Sequence, residues 1–120
     1  MTKKEMRGLR LEWTKALRSL RYKQHFSGLR MGDRYSAYGV LCDIACPQLW
    51  VPADLQEDID SDTCEWTCWG LFHAPPKSLL HVIGSSSTFT ACSEWVEIEK
   101  APFPVIAERL EAAWSKEESA

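Results

Sequence analysis

A chain of 120 residues, 45% hydrophobic and 26% charged, has room for one modest core, and its composition is that of a globular domain rather than a disordered tail. No apolar run reaches the length needed to cross a bilayer, and the opening MTKKEMRGLRLEW lacks the apolar segment of a signal peptide. The expectation is a single α+β domain over residues 1–114, cytosolic, with no membrane contact.

The net charge of −3 hides a division. Residues 1–34 carry ten Lys or Arg against Glu5, Glu12 and Asp33, whereas the remainder carries four against fourteen carboxylates. Such segregation lets the basic segment dock on the acidic one, lets two copies pair as a homodimer, or leaves a patch for a charged partner. Internal docking is the preferred reading.

In chain order, Thr2-Lys-Lys-Glu5 has capping-box spacing, and Met6, Leu9, Trp13, Ala16, Leu17 and Leu20 recur at helical intervals. Arg7, Arg10, Lys15, Arg18 and Arg21 occupy the other faces of this first helix. Gly28, Gly32 and Asp33 mark a loop, and Tyr38, Leu41, Ile44 and Ala45 predict a second short helix that Pro47 stops. Residues 47–62 read as an increasingly acidic loop. Thr63–Phe72 is rich in β-formers and reads as a strand. Pro75-Pro76 opens a short central helix through Ile83, with Gly84 suited to its end. Ser85–Ser87 reads as a linker. Thr88–Ile98 reads as a second strand of imperfect alternation. Pro104 starts a last helix bearing Ile106, Leu110, Ala113 and Trp114, and 115–120 is expected to be a frayed tail. The fold expectation is thus about four helices (two N-terminal, one central and short, one C-terminal) with a small antiparallel sheet of two or three strands.

Leu17-Arg-Ser-Leu-Arg-Tyr-Lys-Gln24, Leu29-Arg-Met-Gly-Asp33, Tyr35 with Gly39-Val-Leu-Cys-Asp43, Pro75-Pro-Lys-Ser-Leu79 and Phe103-Pro-Val-Ile-Ala-Glu108 occur in an order that resembles a family of small phage and prophage proteins. In that family a motif like LRSGxYxQ ends the first helix, a YCCLGVLCD-like segment follows a glycine-rich turn, and a helix of the type SFxEIAxxIE closes the chain. Ser36 and Ala37 stand where the family often has paired cysteines, and Glu97-Ile98-Glu99 replaces its Asn-Asp pair. Of the cysteine-rich segment only Cys42 and Asp43 carry over. The resemblance implies a phage accessory protein in the bacterial host cytosol.

Five cysteines without an export signal read as reduced thiols, mostly small buried hydrophobes. Cys42 and Cys46 lie one helical turn apart and are weak candidates for a zinc or thiol site. Cys64 and Cys68 are also four apart, but on a strand that spacing is about 13 Å, too far for one ion. No phosphate loop, nucleophile elbow or zinc-protease helix is present, and His25, His73 and His81 make no recognisable catalytic pattern. The chain reads as non-enzymatic and free of cofactors.

Six tryptophans remain. Trp13 and Trp114 lie on apolar helical stripes and read as core. Trp66 and Trp69 point to opposite faces of a strand, and Trp50 sits between two prolines. An exposed Trp beside carboxylates is interface chemistry. The candidate partner surface is therefore Trp50, Asp54, Glu57, Asp58, Asp60, Asp62 and Trp69. With the resemblance, this implies a protein that binds and modulates or inhibits a host protein, an anti-CRISPR-like factor whose acidic loop competes for a nucleic-acid-binding channel of a defence component. The alternative is a small nucleic-acid-binding protein using Arg10, Arg18, Arg21 and Lys23, with Tyr22, Phe26 and Tyr35 interleaved among Arg21, Lys23, Arg30 and Arg34 as base- and phosphate-contact chemistry.

Overall fold

The computed structural model describes residues 2–53, 64–68, 70–71 and 74–119. Five α-helices are found among them: α1 (Lys3–Ser19), α2 (Ala37–Ala45), α3 (Leu80–Ile83), α4 (Ser86–Glu97) and α5 (Phe103–Ser119). Five short strands, β1 (Lys23–Gln24), β2 (Arg30–Met31), β3 (Arg34–Tyr35), β4 (Trp50–Pro52) and β5 (Glu65–Cys68), form one sheet in the order β1-β3-β2-β5-β4. The α+β class stands.

The helices start where capping chemistry permits. Thr2 accepts from the Glu5 amide at 3.1 Å, and Ser36 accepts from the Gly39 amide at 3.2 Å. Each satisfies an amide that has no partner inside its helix. Helix α1 ends at Leu20, which takes a left-handed conformation with φ 61° and stands exposed rather than in the core. The buried stripe is therefore Trp13, Ala16 and Leu17. These meet Ile106, Leu110 and Trp114 of α5 and Val40 and Leu41 of α2 in one core.

Among the described residues the α-helices number five, not four, and Trp50–Pro52, expected within a loop, is strand β4; three further expectations are corrected. Thr88–Glu97 is helix, not strand, and Ile98 caps its end. Ser85, expected in a linker, caps it through the Thr88 amide at 3.4 Å. Thr88, Cys92 and Val96 then fall on its buried face, one turn apart. Its β-branched residues suggested a strand, but the spacing of the apolar ones is helical, and tertiary burial overrides propensity. The sheet has five strands rather than two or three, and it is mixed: β1 pairs with β3 in parallel, and the other pairings are antiparallel. Strands of two residues leave no alternation to read. Finally, the segment expected to fray from residue 115 is helical to Ser119. Glu117 holds it, accepting from Ser85 N at 2.9 Å and Thr88 Oγ1 at 2.7 Å.

The sheet joins the helices through α2. The Ser36 amide donates to Leu29 O at 2.9 Å, and Gly39 lies so close that a Cβ there would stand 1.9 Å from the same carbonyl. Only glycine permits that approach. Trp13 Nε1 donates to Ala37 O at 2.8 Å and ties α1 to the start of α2. At the other end of the sheet Gln24 receives the Phe103 amide at 3.3 Å and donates to Ala101 O at 2.6 Å, fixing the entry to α5.

Candidate functional site

The register of the strands builds one aromatic patch around an arginine. Arg30 lies opposite Tyr35 on β3 and opposite Trp66 on β5, and Trp66 in turn lies opposite Pro52. Directly opposed residues share a face, so a ring flanks Arg30 on each side. Trp50, paired with Cys68 and two positions from Pro52, completes the group. The Arg30 guanidinium carbon stands 4.3 Å from the Trp66 ring centre, 5.0 Å from that of Tyr35 and 5.4 Å from that of Trp50. Tyr35 meets Trp50 edge-on at 6.0 Å, and Tyr22 meets Tyr35 edge-on at 5.0 Å. All five side chains are half-buried.

Asp43 of α2 anchors the patch from below. One carboxylate oxygen accepts from Tyr22 Oη at 2.8 Å and the other from Trp50 Nε1 at 3.0 Å. Burial, then the bond to Asp43, pushes the Tyr22 phenol up to about 12, so it stays a donor at any physiological pH.

Among the described residues, two donors in the patch remain underused. Arg30 donates through Nε to Gly32 O at 2.7 Å, and that is its one hydrogen bond among the described residues. Trp66 Nε1 is buried and has no acceptor among the described residues. A buried donor left unpaired costs about 1–3 kcal/mol, so its presence in a folded chain asks for an acceptor.

Beside the rings, on the same face of the sheet, Cys68 opens a group of buried thiols. Cys46 and Cys68 have their sulfurs 3.6 Å apart, and Cys42, one turn before Cys46, borders both. Burial pushes the Cys46 and Cys92 thiols up to about 12 and raises Cys42 as well. Thiols held protonated in this way are poor nucleophiles at neutral pH. Among the described residues, no group of three or more His, Cys, Asp or Glu is arranged to hold a metal ion.

The structure distributes the sequence candidates unevenly. Trp50 belongs to the patch, while Asp54, Glu57, Asp58, Asp60, Asp62 and Trp69 lie outside the described residues, as does His73. Of the basic group proposed for nucleic acid, Arg10 is buried, donating to Val82 O at 2.8 Å and His81 O at 3.2 Å, with Glu117 at 3.8 Å and its guanidinium 4.7 Å from the Trp114 ring centre. Arg18 pairs with Glu111, and Lys23 with Asp33 at 2.8 Å. Arg21 is exposed and bonds to Ser19. Two of the basic helix's charges are thus matched by α5, as internal docking of the two halves requires.

From sequence, Arg30 and Tyr35 belong only to the basic and aromatic interleaving read for nucleic acid, and Trp66 only to the pair with Trp69; no sequence signal joins the three as one site. Their signal was weak: Arg30 and Tyr35 fall in a glycine-punctuated stretch, and only the register of two-residue strands brings them to Trp66. Comparison with protein-family models, curated proteins and solved structures finds no match. No helix among the described residues is long and apolar enough to cross a membrane.

Proposed function

We propose that this chain is a non-enzymatic accessory protein that binds a protein partner through the aromatic patch around Arg30 and thereby modulates it. The observation that carries the reading is the pair of underused donors, Arg30 and Trp66 Nε1, inside a half-exposed set of Trp, Tyr and Arg side chains. These residue types dominate binding energy in protein interfaces, because each buries a large area at low entropic cost and keeps a polar handle. The partner chemistry that fits is a segment offering carbonyl or carboxylate oxygens. The phage-type resemblance adds that the partner is a host protein, with a defence component as the specific candidate. The acidic run Asp54–Asp62, which follows β4 in the chain, carries the charge that would compete with phosphates for a basic channel.

Nucleic-acid binding is less well supported, since Arg10, Arg18 and Lys23 already have internal partners. The test is a tagged pull-down from bacterial lysate, with and without nuclease, comparing the wild type with an Arg30→Ala chain whose fold is verified by circular dichroism. A nuclease-resistant protein retained by the wild type and lost from Arg30→Ala is expected. Recovery of nucleic acid alone, or loss of every partner after nuclease, would overturn the reading.

A further inference from the structure

The contact between Cys46 and Cys68 carries a second, independent inference. The two sulfurs touch at 3.6 Å, and a disulfide requires about 2.05 Å, so each must move by less than an ångström. Both residues sit where the backbone can give. Cys46 caps the end of α2 outside its helical conformation, with φ −151° and ψ 58°. Cys68 ends β5, just before a turn in which Gly70 has φ 82°. Cys42 is held differently: it is fully buried inside α2, whereas Cys46 reaches the surface with 8% of its area exposed.

We propose that Cys46 and Cys68 form an oxidisable dithiol, a modification site at which a hydroperoxide converts two thiols into one disulfide. Cys46, the more exposed of the pair, reacts slowly through the small thiolate fraction that its raised pKa leaves: it loses its proton to solvent and attacks the distal peroxide oxygen. The O–O bond breaks, an alcohol (or water, from hydrogen peroxide) departs, and Cys46 carries a sulfenic acid. Cys68 then attacks the Cys46 sulfur, the S–S bond forms and water leaves with the remaining proton. Two electrons pass from the two sulfurs to the peroxide. The product ties the end of α2 to β5 across a separation of 22 residues, closing a loop that contains β4, the acidic run and Trp50.

Treatment of the folded full-length chain with hydrogen peroxide tests this, followed by alkylation of remaining thiols in denaturant, digestion without reductant and mass spectrometry. Five cysteines allow ten pairings, and the expected result is that the Cys46–Cys68 link outweighs all others together and is reversed by dithiothreitol. The same treatment in urea should spread the links over several pairings. A Cys92→Ser chain controls for folding and should keep the dominant link. Three results would overturn the proposal. The first is a folded chain whose Cys46 and Cys68 are recovered only as alkylated thiols or sulfinic acids. The second is a dominant link through Cys64 or Cys92. The third is stoichiometric zinc in the untagged protein that must be chelated before any oxidation occurs.

Discussion

Two glycines in helices should respond to alanine with opposite signs. Gly8 lies in the exposed middle of α1, and a Cβ there would meet nothing within 4 Å. Gly8→Ala therefore removes only the entropic penalty of glycine in a helix, a gain of about 1 kcal/mol. Gly39 lies in α2, where the added Cβ would stand 1.9 Å from Leu29 O and 2.8 Å from Leu29 C. Those atoms are backbone, Leu29 is fully buried, and its carbonyl already holds the Ser36 amide. Relief requires moving the 29–36 loop or tilting α2 away from it. Overpacking of this kind costs about 3 kcal/mol and the strained hydrogen bond about 1 kcal/mol more, offset by about 1 kcal/mol of helix propensity. The net loss is about 3 kcal/mol. For 120 residues the unfolding entropy is about 0.25 kcal/mol per degree. Gly39→Ala should then lower Tm by about 12 °C and Gly8→Ala raise it by about 4 °C. Thermal unfolding followed by circular dichroism reads both. A Gly39→Ala chain as stable as the wild type would refute the close approach of α2 to the Leu29 carbonyl, and with it the way the sheet is joined to the helices.

Arg10→Met keeps the bulk of the side chain but orphans the carbonyls of Val82 and His81, and should cost about 2–3 kcal/mol in urea unfolding. Arg18→Glu, which reverses an exposed pair with Glu111, should cost less than about 1 kcal/mol, and the loss should shrink in high salt. Glu117 is partly desolvated, which raises its pKa, but the Ser85 and Thr88 donors and Arg10 outweigh this and hold it below its ordinary 4.5. A depressed carboxylate contributes stability above its unfolded pKa and loses it as pH falls through the folded one. The gap between wild type and Glu117→Gln should therefore be constant at neutral pH and close below about pH 4, as read by denaturant midpoints across that range. Asp43→Ala strips acceptors from Tyr22 and Trp50 together and should cost about 2 kcal/mol with a change in tryptophan emission, whereas Asp43→Asn keeps one acceptor oxygen and should cost about half as much.

The helices were largely legible because their signals are local. Thr2 before Glu5, Pro47 after Ala45 and Gly84 after Ile83 mark boundaries through chemistry acting over three or four residues. The stripe of Trp13, Leu17, Ile106, Leu110 and Trp114 is a periodicity that a linear reading detects. The sheet was not legible in this way. A two-residue strand such as Arg30–Met31 has no period, and its partners lie at Tyr35 and at Trp66, the latter 36 positions away. Thr88–Val96 was misread for a related reason: threonine, phenylalanine and valine favour strands, and what made the segment helical was Ser85 at its start and the burial of Thr88, Cys92 and Val96 against the core. The candidate site inherits the weakness of the sheet signal. Trp50 could be suspected because it stands between prolines, but Arg30 reads in the sequence as one of several cations among aromatics and becomes a centre only once three rings surround it.

Five residues of the first half of the chain share a task. Tyr22 and Asp43 bond to one another across the layers, Gln24 fixes the entry to α5, Gly39 permits the contact with Leu29, and Ser36 caps α2. Each joins the helical layer to the sheet, and none of them presents a reactive group to solvent. Residues of this kind specify an architecture, and the chemistry they leave open is decided by what projects from the sheet they support. In this chain those projections are Arg30, Tyr35, Trp50 and Trp66. Asp43 belongs to both sets, since the carboxylate that ties Tyr22 into the scaffold also orients the Trp50 indole toward Arg30. A substitution there should therefore lower partner affinity by more than its effect on stability explains, provided the patch is the docking surface. Equal losses of stability and affinity across Asp43→Asn and Asp43→Ala would assign Asp43 to the scaffold alone.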